Sequence, residues 1–151
     1  MILSKTCDYA IRASLYVALQ KDQKFVPIRI ISQELNISFH FLTKILQILT
    51  QNNIMTSFKG PNGGVTLAKP ADSISLKEIV LAVDGPDLFT KCLLGLEHCD
   101  DQHPCPIHDQ WRTIRDQLEE IFEKNTIQDL AEKVKTNDFR ISDLVVKSFS
   151  H

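Results

Sequence analysis

Residues 39–51 read FHFLTKILQILTQ, and within them Leu42, Ile45, Leu46 and Leu49 recur at i, i+3, i+4 and i+7. That spacing places all four on one face of a helix. The opposite face carries His40, Lys44, Gln47 and Gln51, with Thr43 beside it, and none of these is acidic. Upstream, SKTCDYAIRASLYVALQ is apolar over most of a helical surface from about Thr6 to Leu19, which predicts a buried helix. Between the two, IRIISQEL predicts a short helix entered at Pro27, which a first turn tolerates. Asn36 suits a left-handed exit from it, and Ser38 can cap the helix that follows. Two short helices joined by a tight turn form the helix-turn-helix pattern.

The period then changes from helix to strand. In IMTSFKGPNGGVTLAK, the segments MTSF and VTLA are short alternating strands around GPNGG. Asn62-Gly63 is a pair that favours a turn with positive φ at both central residues. A helix-turn-helix followed at once by a glycine-tipped hairpin, with Lys59 and Lys69 flanking its strands, predicts a winged helix. Glycines at the tip would let the wing backbone approach a sugar-phosphate chain.

Beyond the wing, SISLKEIVLAVDG opens with a capping box from Ser75 to Glu78 and closes at Gly85. Residues 86–108 predict an irregular loop, and a long helix follows from about Asp109 to Lys124. Trp111, Ile114, Leu118, Ile121 and Phe122 form its apolar stripe. A helix so amphipathic beyond a small domain needs a cover for that stripe, and a twofold mate supplies one. Thr126 and Asp129 cap a further short helix, TIQDLAEKV. The tail from 135 to 151 is polar with one weak apolar patch. The fold class that follows is mainly α with a small β-hairpin wing. Residues 1–85 form a winged helix-turn-helix, 86–108 a cysteine-bearing loop, 109–134 a dimerisation helix with a short companion, and 135–151 a tail.

Composition narrows this picture. The chain has 151 residues, 43% hydrophobic and 24% charged, as expected of a globular protein. Its apolar runs are too short to span a bilayer, and its N-terminus lacks a signal peptide's order, so a cytoplasmic protein is expected. Residues 1–80 hold 9 basic against 5 acidic side chains, whereas 81–151 hold 8 against 14. The front half is therefore the one suited to face phosphate. No nucleophile–base pair at a telling spacing and no phosphate-binding glycine loop points to an enzyme.

The stretch KCLLGLEHCDDQHPCPIHDQW holds three of the four cysteines and three of the five histidines. Disulfides are rare in a reducing compartment, which favours metal or redox chemistry. Cys92, Cys99 and Cys105, with His108 three residues after the last, can surround one centre. Thiolates hold iron–sulfur clusters, sometimes with histidine, and zinc would accept the same Cys₃His set. Cys7 stands alone in a helix and reads as a core residue. His98 and His103 read as solvent-facing.

The order of these motifs resembles the IscR/NsrR-type (BadM-type) winged-helix transcription regulators. DYAIRASLYVAL, ISFHFLTKILQIL, KGPNGGVTLAKPADSISLKEIV, AVDG, the cysteine triplet, CPIHDQW and TIQDLA carry the resemblance over most of the chain, to about Val134. It implies a homodimer whose long helix forms the interface. It also implies a [2Fe-2S] or [4Fe-4S] cluster on Cys92, Cys99 and Cys105 near that helix's start. IscR-like members use a histidine at the position of His108 as fourth ligand. NsrR uses a first-helix aspartate from the other subunit, the position of Asp8. His108 is favoured because it is local, with Asp8 as the alternative.

On this reading, His40, Thr43, Lys44 and Gln47 lie nearest the bases of a double-stranded operator, with Ser38 beside them. Lys59, Gly60, Asn62 and Gly63 would meet the adjacent backbone or minor groove. Arg29, Lys59 and Lys69 would supply charge to phosphates. The family's glutamate reader is absent, since Thr43 stands there, so the family's base preference is not carried over. Two rivals are a zinc- or thiol-redox regulator of the same fold and an interaction module that does not touch DNA.

Overall fold

The computed structural model describes residues 2–20, 22–137 and 139–141, and the elements below belong to these. Helix α1 (Lys5–Leu19) starts where Ser4 accepts from the Cys7 N–H, and it buries Cys7, Ala10, Ala13, Leu15, Tyr16, Val17 and Leu19. The buried Ser14 hydroxyl donates to the Ala10 carbonyl at 2.8 Å. Helix α2 (Ile28–Leu35) ends in Asn36 at φ 54, the left-handed exit expected of it. Helix α3 (Phe39–Gln51) is capped by Ser38, whose oxygen accepts from the Phe41 N–H. Its face of Leu42, Ile45, Leu46 and Leu49 is buried in the main core.

Strands β1 (Met55–Phe58) and β2 (Gly64–Leu67) pair antiparallel, with Met55 opposite Leu67 and Phe58 opposite Gly64. This register leaves five residues in the wing loop, 59–63, and corrects the expected turn. Asn62 and Gly63 are not at positive φ; instead Gly60 is, and the Gly63 N–H donates to its carbonyl at 3.0 Å. The turn thus centres on Pro61 and Asn62, where proline's fixed φ suits the first central position. The register is set from the other edge of β2. Val26 and Val65 exchange both backbone hydrogen bonds, at 2.8 and 2.9 Å, which ties the wing to the chain entering α2.

Helix α4 (Leu76–Val83) is capped by Ser75, which accepts from the Glu78 N–H. The reciprocal half of the expected box is taken over, because Glu78 binds Lys69 at 2.5 Å. Gly85, at φ 78, turns the chain out of the helix. The expected irregular loop contains a short helix, α5 (Asp87–Thr90), because Phe89 is drawn inward and is 6% exposed. Helix α6 (His108–Lys124) begins one residue before the expected start, so His108 is its first residue. Helix α7 (Ile127–Asn137) follows, with Thr126 and Asp129 exchanging both capping bonds. The tail reading needs amendment in its described part: α7 takes its first three residues, and Ile141 joins the main core. The rest, 138 and 142–151, lies outside the described residues.

Two cores result. The main one gathers α1, α2, α3, the strands and α7 around Leu42, Ile54, Ile74 and Ile127. A smaller one joins Cys7, Val80 and Phe89, with Leu3, Ile11, Val83, Leu88 and Phe122 packed against it. It is the hydrophobic joint between α1, α4, α5 and α6. Among the described residues, no helix is long and apolar enough to cross a membrane.

Candidate functional site

Helices α2 and α3 and the wing enclose an open groove of about 720 Å³. Arg29, Thr43, Gln47, Lys59, Gly60 and Gly63 line it, together with Phe39, Phe58 and Pro61. No acidic side chain is among its lining residues, so an anion meets no opposing charge there. His40, Lys44 and Asn62 are exposed, as is Ser38, whose oxygen already serves the helix cap. Thr43 donates its hydroxyl proton to the Phe39 carbonyl at 2.8 Å, which leaves its oxygen as an acceptor. Lys69 does not line the groove and pairs with Glu78 on α4 at 2.5 Å.

The glycines of the wing have internal reasons. A side-chain carbon at Gly63 would lie 2.2 Å from the Phe58 carbonyl oxygen, and one at Gly64 would lie 2.1 Å from that of Val26. Only Gly60, at φ +120 with open space beside it, is glycine for conformation alone. Sequence reasoning missed the aromatic residues of this face. Phe39 is 53% exposed at the start of α3, and Phe58 is stacked on Phe25 with centroids 5.0 Å apart. The helical pattern signalled Phe39 only by its lying off the apolar stripe.

The second site is built at the start of α6. The sulfurs of Cys92, Cys99 and Cys105 all lie within 4.8 Å of one another. Cys92 and Cys105 approach to 3.6 Å and are unbonded. His108 stands beside this trio rather than within it, with Nδ1 3.4 Å from the Cys99 sulfur. Cys105 and His108 are 7% and 8% exposed, so the pocket is sheltered on the helix side.

Gly95, at φ 74, allows the tight turn after Cys92, closed by its own N–H on the Cys92 carbonyl at 3.0 Å. The backbone N–H groups of Leu96 and Leu94 then hold the Cys92 thiol down at about 7, well below its ordinary value. Cys99 behaves oppositely. The Cys105 N–H pulls its thiol down, but burial and the neighbouring sulfurs outweigh it and hold it above its ordinary value. Cys92 therefore gives up its proton more readily than Cys99. Three converging soft donors, one acidified, and an imidazole fit a thiophilic metal or an iron–sulfur cluster.

The chain belongs to the Rrf2 family. Residues 3–133 match that family, described as an iron-dependent transcriptional regulator. The transcriptional regulator IscR of Erwinia tasmaniensis is 33% identical over 130 residues, covering 86% of this chain and 78% of that protein. Two solved structures show the fold. CymR, the global cysteine regulator of B. subtilis, has a TM-score of 0.75 at 24% identity, covering 86% of this chain and 95% of that one. IscR of T. potens has a TM-score of 0.73 at 17% identity and covers 91% of each chain. The chain is thus a winged-helix transcriptional regulator of the Rrf2 type.

Within this Rrf2 chain the other candidates divide. Asp8, the alternative as a ligand from the other subunit, is held through both oxygens by Arg12 of its own helix, at 2.9 and 3.1 Å. His98 and His103 are exposed, as expected, and His103 engages Asp100. Cys7 is fully buried, and burial pushes its thiol up to about 12, which fits a core residue. The α6 stripe is partly spent within the chain. Phe122 packs on Phe89, and Trp111 donates from Nε1 to the Lys91 carbonyl at 3.0 Å. Ile114 and Ile121 stay open, 46% and 54% exposed, with Leu118 half-buried between them.

Proposed function

We propose that this Rrf2 regulator is a homodimer whose operator binding is controlled by an iron–sulfur cluster held by Cys92, Cys99, Cys105 and His108. The convergence of the three sulfurs within 4.8 Å, with His108 Nδ1 beside them, carries this reading. A cluster bound there would supply a centre that oxidants, nitric oxide or iron shortage can dismantle. What this chain contributes is a Cys92 thiol held at about 7, a sheltered wall from Cys105 and His108, and a hydrophobic joint from the loop to the DNA-reading half.

Helix α3 would enter the major groove, with His40, Thr43, Lys44 and Gln47 nearest the base edges and Ser38 at its start. Arg29 and the wing residues Lys59, Gly60, Asn62 and Gly63 would hold the sugar-phosphate backbone. Ile114, Leu118 and Ile121 would meet their counterparts across a twofold axis, adding to Trp111 and Phe122, which brace the same helix. Loosening the loop would alter how two recognition helices are spaced, and half-sites about one DNA turn apart are sensitive to that spacing.

The deciding experiment counts iron and sulfide in anaerobically reconstituted protein and compares operator affinity with and without the cluster. A brown protein whose affinity changes on cluster loss supports the reading. Equal affinity at every operator, or a colourless protein holding only zinc, defeats it. A thiol switch is the second reading, favoured by the 3.6 Å gap between Cys92 and Cys105. There, an oxidant would take two electrons and two protons from the pair as the S–S bond forms. Thiol counts on oxidised, cluster-free protein test it.

A further inference from the structure

We propose that Asp101 is a positioning residue for the cysteine-loop centre: its carboxylate holds His108 by Nε2 and so turns the Nδ1 lone pair toward the sulfurs. This rests on the proposed cluster site and deepens it. Three distances carry it. Asp101 Oδ1 lies 3.1 Å from His108 Nε2 and 2.5 Å from Arg112 Nη1, while His108 Nδ1 lies 3.4 Å from the Cys99 sulfur.

A neutral imidazole has one N–H and one lone pair. An ionised carboxylate only accepts, so Nε2 must carry the hydrogen and Nδ1 must carry the lone pair. Arg112, whose Nη1 pairs with the same carboxylate oxygen, holds Asp101 in place. It stands four residues after His108, one turn along α6, so the two side chains share a face and grip the same oxygen. The ring has little freedom to turn away, since His108 is 8% exposed. A carboxylate behind a ligating histidine fixes its tautomer and raises its basicity. Asp8 meets no such arrangement, because Arg12 occupies both of its oxygens.

The test uses the full chain, reconstituted anaerobically, as wild type, Asp101→Ala, His108→Ala and the double variant. The rate of iron release to a chelator is measured for each. Asp101→Ala is expected to release iron about 10–100 times faster than wild type. The double variant is expected to be no faster than His108→Ala, since Asp101 acts only through that ring. Asp101→Asn keeps the shape and an acceptor oxygen, and is expected to fall between wild type and Asp101→Ala.

Wild-type release from Asp101→Ala overturns the proposal, as do effects that multiply in the double variant or an Asn variant as fast as the Ala one. A wild type that takes up no iron and sulfide removes both this inference and the proposed function. A loaded wild type with an unaffected Asp101→Ala removes this inference alone.

Discussion

Phe122 of α6 meets Phe89 edge-on, with ring centroids 5.6 Å apart and planes at 70°. Phe89 stands three residues before Cys92 and belongs to the same small core as Cys7 of α1 and Val80 of α4. Movement of the cysteine loop would therefore act on a packed contact shared by α6 and the DNA-reading half. Phe89→Ala removes a nearly buried ring and is expected to cost about 3–5 kcal/mol in denaturant unfolding. Phe89→Leu, nearer in volume, is expected to stay folded while the affinity ratio between cluster-loaded and cluster-free protein shrinks. An unchanged ratio would show that the joint does not transmit the signal.

The wing tolerates no side chain at its base. A methyl at Gly64 would sit 2.1 Å from the Val26 carbonyl oxygen, within the bridge that anchors the hairpin. Gly64→Ala is expected to cost about 1–3 kcal/mol, by analogy with overpacked sites. Gly60→Ala meets no atom and bears only the strain of its φ of +120. Urea midpoints of the two variants should fall in that order.

Cysteine reactivity should be graded by environment. Cys92 is held at about 7 by the Leu96 and Leu94 N–H groups, so its thiolate fraction rises through half near neutral pH. Cys7, pushed up to about 12 by burial, stays a thiol throughout. With cluster-free, reduced protein at pH 7.5, iodoacetamide should modify Cys92 first and Cys7 last, as mass spectrometry of peptides would read. The Cys92 rate should drop as the pH falls below 7, where the thiolate is protonated. A Cys7 rate matching that of Cys92 would contradict these assignments.

The open part of the α6 stripe predicts a subunit contact. Ile114→Glu with Ile121→Glu places charges on two side chains that are 46% and 54% exposed in the single chain. The isolated fold should keep its helical content, since neither residue belongs to a core. Sedimentation should shift from dimer to monomer. A persisting dimer would move the interface elsewhere.

The groove residues separate by what they would read. Lys59→Ala should weaken binding about equally across DNA sequences and lower the salt slope by about 1 per subunit. Gln47→Ala should instead relax preference at one base pair, by about 1–3 kcal/mol. Competition binding with single-substitution operators, repeated at several salt concentrations, distinguishes these outcomes.

What the sequence by itself determined is what local bonds determine. The α3 face of Leu42, Ile45, Leu46 and Leu49, the Asn36 exit and the Ser38 and Thr126 caps involve partners within a few residues. Spacing alone therefore exposes them. It also marked the cysteines, because thiols so dense in a polar loop are rare without a shared task.

Tertiary structure decided the rest. The wing turn moved to Pro61-Asn62 because the bridge between Val26 and Val65 fixes the register from outside the hairpin. Lys69 stands outside the groove and pairs with Glu78, nine residues on and across the turn into α4. Phe122 and Trp111 left the free stripe because α5 and Lys91 fold back onto α6. Asp101 carried no signal of its own among neighbouring aspartates; only the start of α6 brings it behind His108, with Arg112 on its other side. Each of these depends on which distant surfaces pack together, and packing is a property of the whole chain that no short pattern records.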